Sequence, residues 1–161
     1  MSGAAMVQQG ATAPVVLVVE DEGIIRMLLA EAFEDAGLAV VEADGADAAI
    51  AAFSDRKDIG AVVTDVRMPG SMDGLGLAGW MREHVPMVPI IITSGLAART
   101  DVGAINPAIA RIVAKPYHAY DLADWVAGLV GRAGGRAAPN GGQMAPSLEA
   151  RPDAEPPASD V

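Results

Sequence analysis

The sequence predicts an α/β domain: a parallel five-stranded sheet covered by helices on both faces. Three observations carry that expectation. Short runs rich in Val and Ile recur between residues 14 and 133, and stretches with apolar residues at helical spacing stand between them. The first run, VVLVV over Val15–Val19, is also continuous rather than alternating. A continuous apolar run is what a strand buried on both faces requires, and strand–helix alternation is the pattern of a parallel sheet packed on either side.

The elements follow in order. After Val19, the residues Ile25, Leu28, Leu29, Ala32, Phe33 and Ala36 recur at one helical face, and Gly37 stands where a C-terminal cap belongs. Leu38–Ala43 (LAVVEA) is a second strand, Asp44-Gly45 a turn, and Ala46–Phe53 a short helix. Ala61–Asp65 (AVVTD) is the third strand. Leu75–His84 is a helix weakened by Gly76 and Gly79. Pro89–Ser94 (PIIITS) and Ala110–Lys115 (ARIVAK) are the fourth and fifth strands. Between them, Gly95–Ile109 is expected to hold a short or mobile fourth helix, because its apolar spacing is irregular and Asn106-Pro107 breaks its end. Leu122, Trp125, Val126, Leu129 and Val130 form the last helical face, with Asp121 the expected N-cap. Five such units in this length fit a flavodoxin-like (βα)5 doubly wound sheet of strand order 2-1-3-4-5.

Composition divides the chain into three. Residues 1–13 are small and polar and read as a flexible leader; without Lys or Arg they lack the charged start of a signal peptide. Residues 14–133 are the domain. Residues 134–161 hold five of the eleven prolines and no aromatic residue, a composition expected to stay disordered because it cannot offset its ordering entropy. Aromatic residues are only 4 % of the chain, so the core must rest on Val, Ile, Leu and Met. The net charge of −10 repels phosphate backbones and argues against direct nucleic-acid binding, while suiting a cation site or a basic partner. The absence of cysteine excludes disulfide and thiolate chemistry and fits a cytoplasmic address. No stretch approaches the roughly 20 apolar residues of a membrane span.

Ligands in such sheets bind beyond the carboxyl ends of the strands. Strand one ends in Glu20-Asp21-Glu22, strand three in Asp65, strand four in Thr93-Ser94 and strand five in Lys115-Pro116. Each is unremarkable alone: acidic loops are usually solvated, Asp65 could belong to the turn of VTDVRMPG, Ser94 could cap a helix, and a lone Lys is usually on the surface. Together they place carboxylates, a hydroxyl and an amine at one edge. Carboxylates with a backbone carbonyl make a hard oxygen site for Mg²⁺, which takes few protein ligands and keeps several waters. Beside it Asp65 can act as a nucleophile toward phosphorus, Ser94 can donate to a phosphoryl oxygen, and Lys115 can pair with another as a point charge.

The ordered set VVEDE, TDVRMPGSMDG, PIIITSG and AKPY resembles the response-regulator receiver family over nearly all of residues 14–133. The resemblance implies that Glu20 and Asp21 bind Mg²⁺ together with Asp65 and the backbone carbonyl of Arg67. It also implies that Asp65 is the phosphoacceptor assisted by Ser94 and Lys115, and that the Lys115–Pro116 bond is cis. It further implies a phosphoryl donor that is a sensor histidine kinase or a histidine phosphotransfer protein, and a signal passed to a downstream protein. Three departures stand out. The family's MPxMDG loop is one residue longer here, as MPGSMDG. Ile112 replaces the Tyr or Phe usual three positions before the lysine. Nothing after Ala133 has the composition of an output domain, which suggests a stand-alone receiver. Two other readings compete: a degenerate receiver that binds partners without phosphorylation, and a small phosphatase of the haloacid dehalogenase type. The second normally needs its nucleophile in a DxD at the first strand, whereas the candidate here ends the third. His84 and His118 have no metal-ligand spacing and are expected at helix ends or on the surface. Trp125 and the Met residues are expected in the core.

Overall fold

The computed structural model describes residues 12–95 and 110–133. Its elements are β1 (Val15–Val19), α1 (Gly23–Asp35), β2 (Ala39–Ala43), α2 (Ala46–Asp55), β3 (Ile59–Asp65), α3 (Gly74–His84), β4 (Ile90–Ser94), β5 (Ala110–Ala114) and α4 (Ala119–Ala133). The strands form one all-parallel sheet in the order β2-β1-β3-β4-β5, as expected from the sequence. The expected helix within Gly95–Ile109 lies outside the described residues beyond Gly95, as do residues 1–11 and 134–161.

Strand periodicity explains how one run serves two cores. Val15, Leu17 and Val19 point to the face covered by α2 and α3, where Ala49, Phe53, Leu77 and Met81 complete the packing. Val16 and Val18 point to the other face, against Leu29, Ala32 and Phe33 of α1 and Leu122, Val126 and Val130 of α4. β3 begins two residues earlier than its apolar run suggests. Val15 pairs with Ile59 but Val16 pairs with Ala61, so Gly60 is an extra residue that re-phases the strand. A Cβ on Gly60 would stand 3.4 Å from the Val15 carbonyl oxygen, in ordinary contact.

α1 ends as its glycine indicated. Gly37 has φ +87°, its N–H donates to Glu34 O at 2.9 Å, and the Leu38 N–H reaches back to Phe33 O at 3.0 Å. This double closure needs a left-handed residue after the cap, which glycine adopts without Cβ strain.

Two expectations need correcting. Asp121 lies within the first turn of α4 rather than at its cap, because the helix starts at Ala119. Methionines divide: Met68 and Met81 are buried, but Met27 and Met87 are exposed. Trp125 is half-buried and packs against the α1–α4 side of the core. Both histidines lie near helix ends. His84 stacks on Trp80 with ring centroids 4.5 Å apart, and the His118 carbonyl accepts from the Leu122 N–H at 3.1 Å. Among the described residues, no helix is long and apolar enough to cross a membrane.

Candidate functional site

The ladders carry four chemically active segments to one edge of the sheet. Val19 pairs with both Ala43 and Thr64, Asp65 pairs with Thr93, and Ser94 pairs with Ala114. Glu20, Asp65, Ser94 and Lys115 therefore leave neighbouring strands at nearly the same level. Two further bonds extend the ladders past the strand ends: Val66 N–H to Thr93 O at 3.0 Å and Lys115 N–H to Ser94 O at 2.7 Å.

Asp65 is the hub. Its Oδ2 lies 2.9 Å from Lys115 Nζ, and its Oδ1 accepts from the Arg67 N–H at 3.2 Å. This side-chain pair bridges β3 to the end of β5 across the intervening β4. The Lys115–Pro116 peptide bond is cis. Ser94 is buried, and its hydroxyl donates to the Gly95 carbonyl oxygen at 2.9 Å.

Glu20 is a buried carboxylate, only 2 % exposed. Its Oε1 accepts from the Glu22 N–H at 3.1 Å. Burial raises its pKa; the Glu22 N–H opposes that rise, and the nearby Asp65 carboxylate adds to it. Asp21 is exposed on the loop leading into α1.

Among the described residues, no three His, Cys, Asp or Glu side chains are gathered tightly enough to hold a metal by themselves. A hard cation such as Mg²⁺ does not need that. It keeps several waters in its shell, so carboxylates and a carbonyl that are not tightly gathered can still serve it. A desolvated glutamate crowded by a second carboxylate is chemistry that a cation relieves, so the donor set fits Mg²⁺.

Three supporting residues were not singled out in the sequence. Gly74, at the start of α3, donates from its N–H to Val66 O at 3.0 Å, and a Cβ there would collide with the Asp65 carbonyl oxygen. Tyr117 packs against the α1–α4 side of the core, and its phenol is pushed up to about 12 by burial and then by the Glu20 carboxylate. On β4, Thr93 Oγ1 donates to the Thr64 carbonyl oxygen at 3.4 Å. Arg26 donates from Nη1 to the Glu20 carbonyl oxygen at 2.7 Å. The aromatic in AKPY was a signal for Tyr117; Gly74 and Arg26 depend on how separate segments meet.

Comparison with known proteins decides the family. The model of the response regulator receiver domain matches residues 16–127. The chain belongs to the response regulator receiver domain family. Receiver domains are signalling modules of two-component systems that take phosphate from histidine kinases and bind Mg²⁺ at the phosphorylation site.

Similar proteins include the response regulator protein FleR of Pseudomonas aeruginosa, 34 % identical over 113 residues, which is 70 % of this chain and 24 % of that protein. A putative NtrX-like response regulator of Rickettsia conorii is 35 % identical over 105 residues, 64 % of this chain and 22 % of that one. The receiver thus spans about a quarter of the length of the curated relatives it matches. Among solved structures, the receiver domain of NtrX from Brucella abortus has a TM-score of 0.64 at 31 % identity, covering 71 % of this chain and 96 % of that one. A response regulator receiver protein from Sinorhizobium medicae has a TM-score of 0.66 at 28 % identity, covering 74 % and 95 %.

Proposed function

We propose that this receiver accepts a phosphoryl group on Asp65 from a phospho-histidine donor, either a sensor histidine kinase or a histidine phosphotransfer protein. The observation that carries the reading is the Asp65–Lys115 contact of 2.9 Å at the carboxyl edge of the sheet, with the buried Glu20 alongside. In the transfer, the N–P bond of the phospho-histidine breaks and an Oδ–P bond to Asp65 forms, leaving the imidazole nitrogen to take up a proton. Lys115 is positioned to exchange its carboxylate partner for a phosphoryl oxygen, a point charge following the negative charge as it moves. Ser94 supplies a hydroxyl at the same level; turning from the Gly95 carbonyl, it would donate to a second phosphoryl oxygen. Glu20, Asp21, Asp65 and the Arg67 carbonyl would hold Mg²⁺, which when bound neutralises charge between carboxylate and phosphoryl group.

The signal then leaves as altered binding to a downstream protein. β5 and α4 are our candidate output surface, and the cytoplasm is the setting such donors require. Ile112 is 43 % exposed on β5 and offers neither a ring nor a hydroxyl to move, so the response does not run through an aromatic rotamer change at that position.

Incubation with a radiolabelled phosphodonor and Mg²⁺ tests the reading. Hydroxylamine-sensitive label should appear on the parent, fall on chelation, and be absent from Asp65→Asn. Label persisting at the same level on Asp65→Asn would refute it.

A further inference from the structure

The backbone N–H, the backbone carbonyl and one carboxylate oxygen of Glu20 each have a partner, and one of those partners is a side chain from α1. The Glu20 N–H donates to Ala43 O at 3.0 Å, its Oε1 accepts from the Glu22 N–H at 3.1 Å, and its carbonyl oxygen accepts from Arg26 Nη1 at 2.7 Å. The same guanidinium places Nε 3.3 Å from Glu42 Oε1 on β2. Arg26 sits at the fourth position of α1, close to the positive end of the helix dipole, which does not favour a cation. Its side chain reaches back toward the helix start, the direction helical side chains take. The Glu42 pair is half-exposed and contributes little as an ion pair in water. Its value is geometric: a planar guanidinium held at two points cannot rotate away from the carbonyl.

We propose that Arg26 is a positioning residue for the metal site, clamping the Glu20–Asp21 loop with Glu42 as its brace. The inference rests on Glu20 and Asp21 being the Mg²⁺ ligands proposed above. Two effects of Arg26 on a divalent cation have opposite sign. As a nearby positive charge it repels the metal, so its removal should tighten binding. As a clamp it holds a ligand loop ready, so its removal should weaken binding. The clamp is the stronger effect, because the charge is already met by the Glu42 carboxylate while no other side chain fixes the Glu20 carbonyl among the described residues. Partners that orient metal ligands typically contribute about 10-fold or more in affinity.

The experiment is Mg²⁺ titration of the full chain by calorimetry, with amide exchange of the metal-free protein as a second readout. The parent should bind Mg²⁺, and Glu20→Gln with Asp21→Asn should not. Arg26→Met, similar in length and without donors, should bind about 10-fold more weakly. Its Glu22 amide should exchange faster, because the loop that bonds it to Glu20 Oε1 is no longer pinned. Arg26→Lys keeps the charge but cannot bridge both acceptors, and should fall between. Arg26→Met that folds and binds Mg²⁺ as tightly as the parent, or more tightly, overturns the clamp. If Arg26→Met does not fold, Arg26→Lys decides, and parental affinity in it overturns the clamp equally. A parent that binds no Mg²⁺ defeats the ligand assignment and the clamp together, an outcome distinct from failure of Arg26 alone.

Discussion

At Gly74 the missing Cβ decides how closely the loop after Asp65 can fold back. The carbonyl oxygen of Asp65, its carbonyl carbon and the Val66 Cα would all meet an added Cβ, and backbone atoms cannot swing aside as a side chain can. Gly74→Ala is expected to cost more than about 2 kcal/mol in urea unfolding, the range of overpacked positions. A variant as stable as the parent would show that the close approach relaxes freely. Tyr117 gives a second test through pH. Burial and the Glu20 carboxylate hold its phenol at about 12, above the ordinary value of 10. The unfolded chain then ionises first, so stability is intact below pH 10 and falls as pH rises toward 12, by on the order of 2 kcal/mol. Tyr117→Phe should remove that fall and also the later step of the ultraviolet tyrosinate titration; an unchanged alkaline stability profile would contradict the assignment. Tyr120 also ionises late, held up by the Glu31 and Asp35 carboxylates, but it is exposed and should give the smaller effect. These residues mark what the sequence could and could not reveal. Glu20, Asp65, Ser94 and Lys115 were legible because each ends an apolar run, and strand polarity alone sends all four to one edge. Gly74 and Arg26 were not, since their importance comes from contacts between segments that no periodicity records.

At the scale of the element, α1 is two-sided. Leu29, Ala32 and Phe33 are buried against the sheet, whereas Ile24, Met27 and Leu28 are 68 %, 59 % and 51 % exposed. Those three lie in the first half of the helix, beside the Glu20–Asp21 loop. Exposed apolar side chains grouped next to a reactive edge suit a protein donor more than a small one. Met27→Glu combined with Leu28→Glu should therefore slow transfer from a phospho-histidine protein by about 10-fold or more. Labelling by acetyl phosphate, which needs no docking face, should be unchanged. If both rates fall together, the helix supports the site itself; if neither falls, the donor lands elsewhere. The sequence placed α1 correctly because the buried stripe dominates its period, but Leu28 shared that period and proved exposed. Element ends were read less well than element centres. β3 starts at Ile59, before its apolar run, because the Gly60 bulge interrupts the alternation. α4 starts at Ala119, before the residue expected to cap it.

Across the whole molecule, the site is tied unequally to the two edges of the sheet. β3 is central, and β2 and β5 are the edge strands. Toward β5, the Asp65 carboxylate is joined directly to Lys115, the residue that follows the strand. Toward β2, the route passes through the Glu20 backbone and Arg26 to Glu42, without touching the phosphoacceptor side chain. Adding charge at Asp65 should consequently disturb the two edges to different degrees. The acyl-phosphate mimic beryllofluoride, with Mg²⁺, should alter amide exchange across Ala110–Ala114 more than across Ala39–Ala43. Lys115→Ala removes the tie while leaving the ladder from Ser94 to Ala114 in place, so that variant should still fold and bind the mimic but lose most of the difference between edges. Equal responses at both edges in the parent would mean that the signal spreads through the core rather than through one side-chain pair. A difference that survives in Lys115→Ala would instead assign the coupling to Ser94, the other polar group at the junction of β4 and β5.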